Sequence, residues 1–92
     1  MDPAPLLERI LDDEGLTAGL DEAEAALVIR TLGDRVRQIA AGTRDASLAR
    51  SHVEALCRRA RAIVAKALAA GDQRKSAAEL RRLLGELVAH PD

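Results

Sequence analysis

The sequence predicts an all-α protein: a small antiparallel bundle of about four helices, in which the second and third helices form a long central hairpin. Apolar residues recur at spacings of three and four along most of the chain, which is the periodicity of helices with one buried face. No segment alternates apolar and polar residues as a half-buried strand does. The chain has 92 residues, so a single domain over residues 1–92 is expected.

The first predicted helix covers residues 3–14. Asp2 is expected to cap it, and Pro3 takes its first position, where proline is favoured because no N–H hydrogen bond is needed there. Gly15 predicts the end of this helix, since glycine readily adopts the left-handed conformation that stops many helices. The apolar stripe consists of Leu6, Leu7, Ile10 and Leu11.

The second and third predicted helices are long and share one apolar pattern. The second covers residues 21–41, with Asp21 as its cap and Gly42 as its stop, and the third covers residues 45–70. Apolar residues follow one another at alternating spacings of four and three in both, as in helices that pack along their whole length. The stripes are Ala25, Ile29, Leu32, Val36 and Ile39, and then Ala49, Val53, Leu56, Ala60, Ile63, Ala67 and Ala70.

The fourth predicted helix covers residues 76–89. The sequence SAAE at its start is a capping box, in which the side chains of the first and fourth residues bond to each other's backbone N–H groups. Its apolar stripe is Leu80, Leu83, Leu84, Leu87 and Val88. The His-Pro pair at 90–91 is expected to close it. A start at Asp72 instead of Ser76 remains an alternative.

Charge is unevenly distributed along the chain although the net charge is only −1. Residues 1–24 carry eight acidic side chains and one arginine, whereas residues 25–92 carry thirteen basic and seven acidic ones. This split predicts either that the acidic start lies over the basic remainder or that the two ends face different partners. The near-neutral total favours neither a polyanion nor a membrane surface as a partner.

The apolar runs and the single cysteine restrict the cellular setting. The longest uncharged apolar run, residues 25–29, is too short to cross a bilayer, so no membrane association is expected. One cysteine excludes an internal disulfide, and the acidic start lacks the basic leader of a secretory signal. A cytoplasmic location is therefore expected, and the frequent Ala, Arg, Gly and Asp are typical of a GC-rich bacterial genome.

Cys57 and His52 are the residues whose side chains are best suited to catalysis or metal binding. Cys57 lies within the apolar arc of the third predicted helix, so we expect a buried, unreactive thiol. His52 is about 140° away around the helix and cannot pair with it. No metal-ligand partner stands three or four residues after His52. Because phosphate-binding loops and nucleophile motifs are also missing, we expect a non-enzymatic protein with no cofactor and no small-molecule substrate.

The arginines are expected to point mostly away from the core. Glu54 stands four residues from both Arg50 and Arg58, and such alternation of charges indicates a solvated helix face. The alternative is a small nucleic-acid-binding transcriptional regulator that uses the basic face of the second and third helices. Its predicted basic patch consists of Arg30, Arg37, Arg58 and Arg61.

Residues 37–56, RQIAAGTRDASLARSHVEAL, resemble in part the helix-turn-helix of the LuxR-type regulators. The Ile-Ala pair at 39–40 and the His-Val pair at 52–53 match that pattern in kind. The spacing is one residue shorter than in the family, and charged residues stand at 44–45 where that fold needs an apolar anchor. The sequence is therefore not assigned to this family.

Small and apolar residues outside the core stripes predict a protein interface. The back face of the third helix is lined by small residues that would let a second helix approach closely, and one leucine is expected to project from the polar side of the second helix. The predicted interface residues are Leu27, Ser51, Ala55, Ala62 and Ala69. Since small cores often need oligomerisation, we expect a protein–protein interaction or oligomerisation module whose partner is a second copy, as a homodimer.

Overall fold

The computed structural model describes residues 1–89 and has the predicted all-α fold. Its helices are α1 (Ala4–Leu11), α2 (Glu22–Gly42), α3 (Ala46–Leu68) and α4 (Gln73–Ala89), and a 3₁₀ turn at Glu14–Leu16 follows α1. No strand occurs among these residues. The molecule measures 42 × 24 × 17 Å. The prediction of a small helical bundle is confirmed.

The four helices run alternately in opposite directions. The backbone nitrogen of Met1 donates to the carbonyl oxygen of Ala40 at 3.0 Å, so α1 begins beside the end of α2. The Gln73 amide donates to the Asp21 carboxylate at 3.0 Å, so α4 begins beside the start of α2. Only residues 43–45 join α2 to α3. Because this connection is short, the two helices run antiparallel. Since α1 and α4 each pack against both α2 and α3, the predicted hairpin is the centre of the bundle.

The core consists of aliphatic side chains and alanine together with Cys57, since the chain has no aromatic residue. Leu32 of α2 and Leu80 of α4 have no exposed surface. On α3, three alanines are equally buried: Ala49, Ala60 and Ala67. A buried alanine places no bulky side chain between two helices, so neighbouring helices can approach α3 closely.

The first helix is shorter than predicted, because it ends at Leu11. Asp13 has φ −89° and ψ 93°, outside the helical region, and its side chain accepts a hydrogen bond from the backbone nitrogen of Gly15. The acidic residues 12–14 would oppose the helix dipole at a C-terminus, which favours termination before them. Gly15 is therefore not the helix stop. It lies in the 3₁₀ turn, and the glycine with positive φ in this connection is Gly19, at 83°.

The fourth helix begins at Gln73, so of the two starts that the sequence left open, the structure has the one at Asp72 and not the one at Ser76. The Asp72 side chain accepts a hydrogen bond from the backbone nitrogen of Lys75 at 2.8 Å, which is the geometry of an N-terminal cap. Ser76 lies inside the helix and is buried. The turn from α3 is made at Gly71, whose φ of 105° suits glycine. The His-Pro pair expected to close α4 lies outside the described residues.

The cap of α4 can be tested with two alanine substitutions. We expect Asp72→Ala to lower the free energy of unfolding by about 1 kcal/mol, because a backbone N–H then loses its side-chain acceptor. Ser76→Ala is the matched control, and it should change that free energy by less than about 0.5 kcal/mol because alanine suits a helix interior. Urea unfolding followed by circular dichroism gives both values. A greater loss in Ser76→Ala would mean that α4 begins at the SAAE sequence.

Candidate interaction surfaces

Cys57 lies on the inner face of α3 and has no exposed surface. Burial raises the pKa of its thiol, because an apolar environment disfavours the thiolate, and the charge of nearby Arg9 acts in the opposite direction with a smaller effect. His52 on the same helix is exposed, so the thiol and the imidazole lie on different faces. The prediction of a buried cysteine is confirmed.

The burial of Cys57 predicts slow chemical modification. We expect a maleimide to label this thiol at least about 100-fold more slowly in the native protein than in the urea-unfolded chain, because the native structure must open first. The control is a variant with Cys57→Ala and Leu48→Cys, which places a thiol at a position of α3 that is 49% exposed. That thiol should react in the native state as fast as in urea. Rapid labelling of native Cys57 would contradict its burial.

Two ion pairs fasten the acidic start of the chain to α3. The guanidinium of Arg9 donates to both carboxylate oxygens of Glu54, at 2.6 and 3.0 Å. Arg61 donates to the carboxylate of Asp13, whose side chain is only 9% exposed. Although Glu54 stands four residues from both Arg50 and Arg58 in the sequence, both of its oxygens accept hydrogen bonds from Arg9 of α1. The Asp13–Arg61 pair agrees with the predicted contact between the acidic start of the chain and its basic remainder.

The Arg9–Glu54 pair links stability to pH. The hydrogen bond from Arg9 lowers the pKa of Glu54 below its ordinary value of 4.5, and the same contact raises the pKa of Arg9. A carboxyl group whose pKa is lower in the folded state stabilises the fold above its unfolded pKa. That contribution is lost as the pH falls through the folded pKa.

We therefore expect Glu54→Gln to destabilise the protein near neutral pH, by an amount that shrinks as the pH falls below 4.5. Urea unfolding of wild type and variant from about pH 6 to about pH 3 measures this difference. Glu14→Gln is the control, because it removes an exposed carboxyl group by the same substitution. A stability difference between wild type and Glu54→Gln that stays constant over this range would contradict the linkage.

The structure does not gather the four arginines of the predicted basic patch on one surface. Arg30 and Arg37 lie on α2 and line the same cleft beside α1. Arg61 is engaged by Asp13, and Arg58 is exposed on α3. Because α1 packs against both α2 and α3, it stands between the two arginines of α2 and Arg61.

The predicted interface residues fall into two groups. Leu27 was expected to project from the polar side of α2, but it is partly buried against the core, in the groove that α2 forms with α4. The small residues lie on the outer side of α3, where Ser51 and Ala62 are exposed and Ala55 is half-buried. Ala69 is exposed just beyond the end of α3. Leu27 thus belongs to the packing between α2 and α4.

A mainly apolar cleft of about 220 Å³ lies between α1 and α2. Its lining residues are Leu7, Ile10, Leu11, Ile29, Arg30, Gly33 and Arg37. Leu11 is 65% exposed, the largest fraction for any large apolar side chain in the described part of the chain. The sequence pattern placed Leu11 in the core stripe of the first helix, so this surface was not predicted. The only sequence signal was the width of that stripe, four apolar residues on a short helix.

The side of α1 that faces away from α2 is acidic. Glu8 and Asp12 are both exposed and line a second cleft, of about 350 Å³, between α1 and α3. Arg50 lines the same cleft from α3, and so do Arg9 and Glu54, which are paired with each other. From α2 across α1, the surface is therefore first basic, then apolar and then acidic.

Comparisons with protein-family models, with curated proteins and with solved structures found no match for this chain. None of the helices within residues 1–89 combines the length and apolar character needed to cross a membrane. Over the same residues, no three His, Cys, Asp or Glu side chains are grouped to hold a metal ion. Function must therefore be inferred from the surfaces of the molecule.

Proposed function

We propose that this chain is a non-enzymatic helical module that acts through protein–protein contact and associates with itself as a homodimer. The observation that carries this proposal is the apolar cleft between α1 and α2, where Leu11 is 65% exposed. A contiguous apolar surface with charged residues at its edge is typical of protein–protein interaction sites. A second chain that covers the cleft would remove this apolar surface from water.

The composition of the core supports self-association. The chain has no aromatic residue, and alanine buries little apolar area per residue. A small core of this kind leaves a narrow margin of stability, which oligomerisation commonly increases.

The setting that we propose for this interaction is the cytoplasm of a bacterium. Cys57 is the only cysteine of the chain and is buried, as expected where thiols remain reduced. The frequent alanine and arginine are typical of GC-rich bacterial genomes.

Nucleic-acid binding by the basic face of α2 and α3 is the second candidate, and the positions of the arginines favour it less. Arg61 is engaged by Asp13, and α1 stands between Arg61 and the arginines of α2. The exposed acidic residues of α1 also adjoin this face. A phosphate backbone is bound best by a basic surface without intervening carboxylates. Salt-sensitive binding of a random-sequence duplex would nevertheless favour this candidate.

Analytical ultracentrifugation tests the homodimer. Between about 1 and about 100 μM, we expect the weight-average mass to rise with concentration from the monomer mass of 9.8 kDa towards twice that value, because association of free chains follows mass action. The midpoint temperature of unfolding should rise over the same concentration range, since only folded chains form the dimer. A single ideal monomer at every concentration would contradict self-association.

A further inference from the structure

We propose that the homodimer forms through the face shared by α1 and α2, with its two-fold axis parallel to these helices. The acidic side of α1 in each copy then lies against Arg30 and Arg37 of the other copy. This inference rests on the self-association proposed above and specifies its surface and its geometry. The occupant of the α1–α2 cleft is a second copy of this chain.

The charges of this face are complementary to themselves. Arg30 and Arg37 are seven residues apart, about two helical turns, and therefore lie on the same side of α2. Glu8 and Asp12 are one turn apart on the opposite side of α1. The ion pair of Arg37 with Asp34 is solvent-exposed and contributes little, so it does not hold Arg37 away from a partner.

The order of these charges selects the direction of the two-fold axis. In a two-fold interface the same surface is used by both copies, so every contact occurs twice. A rotation about an axis parallel to the helices exchanges the acidic and basic sides, and each acidic side then faces a basic side. An axis that runs across the helices would set acid against acid and base against base, which is strongly disfavoured.

The apolar part of the face fits the same geometry. Leu11 lies between the two charged sides and is placed to enter the cleft of the other copy, opposite Leu7 and Ile29. Rotation about the parallel axis keeps the direction of every helix. The α1 helix of one copy therefore runs antiparallel to α2 of the other, as α1 and α2 do within one chain.

The outer side of α3 is less suited to a two-fold contact. Arg58 and Lys66 are both exposed and stand four residues before and after Ala62. Two antiparallel α3 helices that met at Ala62 would bring Arg58 of one copy next to Lys66 of the other. The alanines between them bury little apolar area to offset this repulsion.

An exchange of charges tests the proposed dimer. The double variant R30E/R37E makes both sides of the face acidic, and E8R/D12R makes both sides basic. Each variant alone is expected to raise the dissociation constant of the homodimer at least about tenfold, because like charges then meet in both contacts. An equimolar mixture is expected to form a heterodimer, because an acidic side meets a basic side in both of its contacts. Sedimentation equilibrium measures all three samples.

Two single variants complete the experiment. Leu11→Ser removes the apolar centre without changing any charge, and we expect it to weaken the homodimer. Ala62→Arg on the outer side of α3 is the matched control and should leave the dissociation constant unchanged. Both positions are exposed, and thermal melts followed by circular dichroism verify that each variant folds. If a charge variant fails to fold, Leu11→Ser decides alone, and an unchanged dissociation constant overturns the proposal.

The possible failures can be told apart. If the wild type dimerises and the two charge variants do not associate when mixed, the proposed geometry is wrong and self-association stands. Dissociation of the dimer by Ala62→Arg would place the interface on α3 and likewise overturn the geometry. A wild type that remains monomeric overturns the self-association on which this inference rests.

Discussion

The structure depends on the close packing of the other helices against α3. Without aromatic rings to fill the space between helices, the core can be dense only if the helix backbones approach one another. The fully buried Ala49, Ala60 and Ala67 of α3 permit this approach, and larger side chains such as Leu32 and Leu80 come from the helices around it. These alanines are needed for their small size. The high helix propensity of alanine alone would not explain why they are completely buried between helices.

The way in which α1 is held follows from the same constraint. With eight residues, α1 is shorter than the helices that are stable on their own, so tertiary contacts must position it. Leu6 and Ile10 enter the core, and Arg9 and Asp13 reach towards α3 through their ion pairs. Successive residues of a helix point about 100° apart, so with these side chains turned inward and towards α3, Leu11 is left at the surface beside α2.

The long helices could be predicted from the sequence because their signals are local. Both have regular apolar stripes, and the Asp21 and Asp45 side chains, at the first residue of each predicted range, accept hydrogen bonds from the backbone of the first turn. The end of α1, which was wrong, depends on a distant contact, and the start of α4, which the sequence left open between Asp72 and Ser76, depends on two competing caps. Asp13 leaves the helix and binds Arg61, which is 48 positions further along the chain. At α4, Asp72 caps the helix one turn before the capping box.

The α1–α2 face could not be predicted, because an apolar stripe does not reveal which of its edges a neighbouring helix covers. Leu7 and Leu11 fit the helical pattern as well as the core residues do, and only the packing of the bundle leaves them at the edge of a cleft. The uneven distribution of charge was visible in the sequence. The sequence did not show which acidic residues pair within the chain and which stay on the surface. Asp13 is paired with Arg61 within the chain, whereas Glu8 and Asp12 stay on the surface, on the side of α1 opposite the α2 arginines. The uneven distribution of charge thus accounts for the ion pair of Asp13 with α3 and, in the proposed dimer, for the docking of α1 on α2 of a second copy.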